Sequence, residues 1–164
     1  MSDKENKSFF IAELSNYVKP DIVESKNKEW VLNGEGNSFF NYVIDRFNGS
    51  ATNGAIIKGF TNLIYGQGLY AKDAANKLDQ LVKLKSILSN EDVRKIVFDF
   101  KLQGQFSFQV IRNGKGEIIK IEHFPIETLA PEKMNEEGEI ERYYYSKDWR
   151  NARRQENKPE PIET

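Results

Sequence analysis

The periodicity of the chain changes at Gly104. Before it, Val93, Ile96, Val97 and Phe100 fall at i, i+3, i+4 and i+7, the spacing of one helix face. After it, Phe106, Phe108 and Val110 alternate with Ser107, Gln109 and Ile111, the two-residue period of a strand. Helices that precede a run of strands restrict the chain to an α+β fold, read here as short helices followed by an antiparallel β meander.

The punctuation along the chain fills in this outline. Residues 1–19 form an N-terminal arm in which Phe9 to Tyr17 is compatible with either helix or strand. Asp21-Ile22-Val23-Glu24 and Glu29-Trp30-Val31-Leu32, joined by a polar link, predict a hairpin. The break Asn33-Gly34-Glu35-Gly36-Asn37 leads to a helix over 38–48 with Ser38 as its cap and Phe39, Tyr42, Val43 and Phe47 on one face. Ser50 or Thr52 caps the next helix. Its Ile56, Ile57, Phe60, Leu63 and Ile64 predict a stripe buried on one face, and Gly66-Gln67-Gly68 ends it.

Residues 73–102 read as a helical pair that restarts at Ser89-Asn90-Glu91-Asp92, with an acidic residue placed to reach back to the cap. Gly104 closes the second member. Asn113-Gly114-Lys115-Gly116 predicts a hairpin turn, because these residues accept positive φ. A connection bracketed by Pro125 and Pro131 and a turn over 135–138 lead to a third strand, Ile140–Tyr145. The domain is expected over 20–149. Residues 150–164 read as a polar tail or linker that offers little to bury.

Composition narrows the function. The 164 residues carry a net charge of -1, so the basic excess that phosphate binding demands is missing. The absence of cysteine removes disulfides, thiolate metal sites and cysteine nucleophiles. No apolar run approaches a signal sequence or a membrane span, and a cytosolic origin is expected.

Candidate chemistry is sparse. His123 is the single histidine, which makes a transition-metal site or a serine triad a poor fit and assigns it to packing or surface. Gly66-Gln67-Gly68 follows a helix, the reverse of a phosphate-binding loop. Glu117, Glu122, Glu127, Glu136, Glu137, Glu139 and Glu141 gather in the strand region, but alternate with Lys120 and Arg142 or fall in turns, as on a solvated face. Neither a catalytic centre nor a cofactor is expected. The best nucleic-acid patch is Tyr143-Tyr144-Tyr145 with Trp149, Arg150, Arg153 and Arg154, since aromatics stack on bases and arginines meet phosphates. Packing of those strand aromatics is the competing reading.

The order of features points elsewhere. Asn48-Gly49-Ser50-Ala51-Thr52-Asn53-Gly54-Ala55-Ile56-Ile57-Lys58-Gly59-Phe60 is followed by Ile64-Tyr65-Gly66-Gln67-Gly68-Leu69. Asp99-Phe100-Lys101-Leu102-Gln103-Gly104 then meets a strand carrying Phe106 to Val110. Pro125, Leu129, Pro131 and the tyrosine strand come next. This succession over residues 20–150 resembles the amino-terminal, wing portion of tailed-bacteriophage portal proteins.

The resemblance implies a structural, non-enzymatic subunit. Portals are ring oligomers, typically dodecamers, at a capsid vertex of the virion, assembled in the host cytoplasm. Double-stranded DNA passes through their channel; the terminase large subunit, the major capsid protein and head-completion proteins are their partners, with no membrane involved. Ser50, Gly66, Gly68, Leu69 and Gly104 are the structural candidates it carries. Trp30, Tyr70 and Trp149 are candidates for subunit contacts, with a place in the core the alternative. Known portals are several times longer and add a channel-lining stem helix, so a truncated, split or remnant chain is expected.

Overall fold

The computed structural model describes residues 21–162. The fold is α+β. After a small antiparallel hairpin come four helices, followed by small antiparallel sheets. The ambiguous segment Phe9–Tyr17 lies outside the described residues.

The hairpin pairs β1 (Ile22–Glu24) with β2 (Val31–Asn33), one residue beyond the predicted second strand. Helix α1 (Ser38–Gly49) follows a single 3-10 turn. Its cap differs from the prediction: Asn37 occupies the cap position at φ 60°, and Ser38 is the first helical residue. The reason is long-range. The Asn37 side chain is committed to backbone groups distant in sequence, described below. Of α1's aromatics Phe40 is the one fully buried, while Phe39 and Phe47 are half-buried.

Helix α2 (Ala51–Tyr65) begins as predicted, with Ser50 Oγ accepting from the Asn53 amide at 3.2 Å. Gly66 ends it at φ 55°. Gly68 is required twice over: its φ is +84°, and a Cβ there would lie 2.9 Å from Asn90 Oδ1. Leu69 is half-buried in the connection that follows. Helix α3 (Leu78–Ile87) starts five residues later than predicted, after turns. Helix α4 (Asn90–Gln103) starts at the predicted Ser89 cap, whose Oγ accepts from the Asp92 amide at 3.1 Å and whose hydroxyl donates to the Asp92 carboxylate. Gly104 closes α4 at φ 77°.

Strands β3 (Ser107–Arg112) and β4 (Ile118–Phe124) form the predicted hairpin. Asn113 Oδ1 accepts from the amides of Lys115 and Glu117 at 2.9 and 3.0 Å and so holds the turn.

The single meander is not observed. Pro125 ends β4, and a 3-10 turn over Ile126–Thr128 with Ile126 buried redirects the chain into a separate sheet. That sheet has the order β5 (Leu129–Pro131), β6 (Tyr143–Tyr145), β7 (Glu160–Ile162), all antiparallel. The predicted turn over 135–138 forms, with Asn135 Oδ1 binding the amides of Glu137 and Glu139, but the strand predicted after it is confined to the three tyrosines. The last segment is a further correction. Its Asn157 is buried, the Asn157 carbonyl accepts from Ser146 Oγ at 2.8 Å, and β7 pairs Pro161 with Tyr144.

The core is built here, from Leu32, Ala130, Tyr144 and Trp149, with Trp30 and Ala152 packed against it. The bridge between Trp30 and Glu132 joins the first hairpin to this sheet.

Candidate interaction surface

Helix α2 packs on α1 and α4. Side chains three, four and seven apart share a helix face. Gly54 and Thr61 are the buried pair, flanked by half-buried Asn53, Ile57 and Tyr65. Small size explains the choice: Gly54 lets the helix approach Phe47 of α1, and Thr61 satisfies its hydroxyl on the Ile57 carbonyl at 2.9 Å. The opposite face therefore turns outward. Ile56, Phe60, Leu63 and Ile64 are 50%, 46%, 77% and 52% exposed. The predicted buried stripe is the exposed one, and Ile57 alone of its members is partly covered.

On α4 the predicted face is partly covered, with Val93, Ile96 and Val97 half-buried; Asp99 and Gln103 are the buried residues, while Phe100 is half exposed and stands edge-on to Phe106. Tyr70 and, on α3, Leu78 and Val82 are exposed as well.

Cations lie flat on the aromatics of this layer. Lys101 Nζ sits 4.4 Å from the Phe60 ring centroid, Lys58 Nζ 5.6 Å from Phe47, and the Arg94 guanidinium 5.5 Å from Tyr65. Arg94 also donates to Asn62 Oδ1. Between α2 and α4 a shallow groove of about 420 Å³ is lined by Lys58, Asn62, Arg94 and Phe98. The charges here are fixed in place by rings, and the apolar side chains beside them have water as their neighbour.

The buried Asp99 has a purpose sequence reading missed. Its Oδ2 pairs with His123 Nε2 at 2.6 Å, and Asp92 Oδ1 accepts from the His123 amide at 3.1 Å. Two carboxylates of α4 thus hold β4. No hydroxyl of the described residues bonds the His123 ring, so the geometry is a clasp between helix and strand and lacks the nucleophile of a triad. An acidic residue at i+7 from Asp92 within an apolar helix face was the available signal.

Burial raises the Asp99 carboxyl above its ordinary value of 3.8, with hydrogen bonds from His123 and Gln103 acting against the rise. The folded form therefore keeps this proton to a higher pH than the unfolded chain does. Its contribution to stability is complete below about pH 3.8 and is lost as pH rises through the folded value. Asp92 and Asp148 are lowered and carry the opposite slope, lost as pH falls through their folded values. Asp99→Asn is expected to flatten the decline that sets in as pH rises above about 3.8, relative to the parent, read as the difference between urea unfolding curves across pH. Parallel curves would show that the carboxyl does not titrate on unfolding.

Other sequence candidates fall elsewhere. Trp149 is 6% exposed and Trp30 packs 5.8 Å from it, so both serve the core of this chain. Ser50, Gly66, Gly68 and Gly104 frame α2 and α4 as caps and stops. In the tyrosine patch Tyr144 is buried with its hydroxyl donated to Glu29, Tyr145 stands edge-on to Phe124, and Arg154 lies 3.9 Å from Glu156. Its central ring has no face free for a base. Among the described residues no group of three or more His, Cys, Asp or Glu could hold a metal ion, and no helix is long and apolar enough to cross a membrane. No family model, curated protein or solved structure matches this chain.

Proposed function

We propose that this chain is a structural, non-catalytic part of a self-associating assembly, the wing portion of a portal-like ring. The observation that carries the reading is the outward apolar stripe of α2. Fully covering a Leu, Ile or Phe side chain is worth about 1.5–3 kcal/mol, and four such residues stand together in water. A helix that buries glycine and threonine while exposing isoleucine, phenylalanine and leucine is arranged for a partner as well as for its own core. The order of the sequence features supplies the portal form of the reading. Capsid protein, terminase large subunit, head-completion proteins and packaged double-stranded DNA are then the partners of the complete ring at the virion vertex.

Sedimentation velocity over a concentration series, with electron microscopy of the same samples, tests this. Association beyond the monomer and rings with a central channel are expected. A monomer at every concentration would remove the assembly reading, and oligomers without a channel would remove its portal form.

A further inference from the structure

We propose that residues 9–18 of one copy of the chain lie along the α2 stripe of a second copy, an exchange of arms that rests on the self-association reading and names what covers the apolar face.

The stripe sets what an occupant must bring. Ile56, Phe60, Leu63 and Ile64 are each 46% exposed or more, and at helical rise they extend over about 12 Å of α2. Covering them takes an apolar strip of similar length.

The chain carries such a strip just ahead of the described residues. Phe10, Ile11, Leu14, Tyr17 and Val18 fall at i, i+1, i+4, i+7 and i+8, the spacing of one helix face, with Glu13, Ser15, Asn16 and Lys19 off it. Of the two readings open for this run, strand alternation splits the same side chains between opposite sides, so the helical spacing alone gathers them. Ser8 and Pro20 bound the run as start and stop signals. At helical rise, residues 9–18 correspond to about 15 Å, enough to overlie the whole stripe.

The anchor point assigns the strip to a neighbour. The described residues begin at Asp21, whose carbonyl accepts from the Gly34 amide at 2.9 Å and so pins the chain to the first hairpin. Fully extended, the step from Val18 to Asp21 reaches about 11 Å at most. The hairpin leads into the start of α1, whereas α2 meets α1 near its end. There Asn53 Nδ2 donates to the Arg46 carbonyl at 3.4 Å, and Gly54 lies against Phe47. From Ser38 to Phe47, α1 alone rises roughly 14 Å, and the stripe faces outward across α2, itself about 10 Å thick. The tether is too short for the strip to lie on its own α2. A neighbour's α2 carries no such restriction. Because arm and stripe are unlike surfaces, the contact is heterologous, and it closes into a ring or runs on as a filament.

Complementary variants of the full chain test the exchange. One carries Phe10→Gln and Leu14→Gln in the arm. The other carries Leu63→Gln and Ile64→Gln on the stripe, glutamine keeping the helix propensity. Each alone is expected to associate roughly tenfold or more weakly than the parent in sedimentation velocity, since each removes two apolar side chains from the contact. An equimolar mixture is expected to recover one contact at parent strength and to stop at pairs. The intact arm of the stripe variant fits the intact stripe of the arm variant, and the surfaces left over are both altered. Circular dichroism confirms that both variants fold.

A parent that stays monomeric at every concentration would end the assembly reading and this one with it. A parent that associates while either variant does so equally well would overturn the exchange alone. An unaffected arm variant would give the stripe to a second α2, and an unaffected stripe variant would give the arm another site. Two weakened variants whose mixture stays apart would overturn it as well, placing the arm on its own chain.

Discussion

Trp149→Ala is expected to lower stability by about 3–5 kcal/mol, the range for removing a large aromatic from a packed interior. The indole is 6% exposed and belongs to the core cluster. It stands 5.8 Å from the Trp30 ring, within the cluster of Leu32, Ala130 and Tyr144, and donates from Nε1 to the Thr128 carbonyl at 2.9 Å. Asp148 fixes the backbone beneath it by accepting from the Arg150 amide at 3.0 Å, so the cavity left by alanine has little freedom to collapse. A domain of this size is stable by only about 5–15 kcal/mol, and such a loss shows directly as an early urea transition. Leu63→Ala is the informative companion. Leu63 is 77% exposed, and its removal is expected to change monomer stability by no more than about 0.5 kcal/mol. Similar costs at the two positions would mean that α2 hides its stripe and the core is misplaced.

Asn37→Ala is expected to be nearly as damaging, at about 3 kcal/mol or more. The side chain is 2% exposed and ties its own turn to the segment 127–129. Its Oδ1 accepts from the Asn33 amide at 3.0 Å, while Nδ2 donates to the carbonyls of Leu129 and Glu127 at 3.1 and 3.3 Å. Losing the amide strands buried backbone groups, each costing about 1–3 kcal/mol when nothing replaces the bond. Alanine also resists the φ of 60° by about 1–2 kcal/mol. Asn37→Gly separates these effects, because glycine accepts that backbone and still lacks the amide. The glycine variant is expected to recover about 1 kcal/mol relative to alanine in the same unfolding assay. Equal stabilities would show that backbone strain at this position is negligible.

The parts of the fold that were legible are those governed by local chemistry. Ser50 and Ser89 start helices, Gly66 and Gly104 stop them, and Asn113 shapes a hairpin. In each case the controlling partner lies within a few residues, so reading along the chain suffices. Ser38 failed as the predicted cap because Asn37 takes that position, held by partners about ninety positions away. Asp99 was read past for a similar reason, its partner His123 lying on a later strand. The stripe of α2 misled differently. Periodicity located a face correctly but could not tell whether that face meets this chain or another, and burial went to Gly54 and Thr61 instead. Strand β7 escaped notice because three residues have no periodicity, and backbone pairing makes small demands on side chains.

The way the three-stranded sheet is closed has a consequence for how the chain avoids unwanted polymers. A bare strand edge is a template on which any extended peptide can nucleate fibrous growth. Here one flank is bridged through Trp30 and Glu132, and the outermost strand places Pro161 opposite Tyr144, where a missing N–H interrupts templating. Further strands are discouraged from adding on either flank. Any association of this chain is thereby steered away from sheet extension and toward contacts between side chains, whose geometry would set the angle between neighbours.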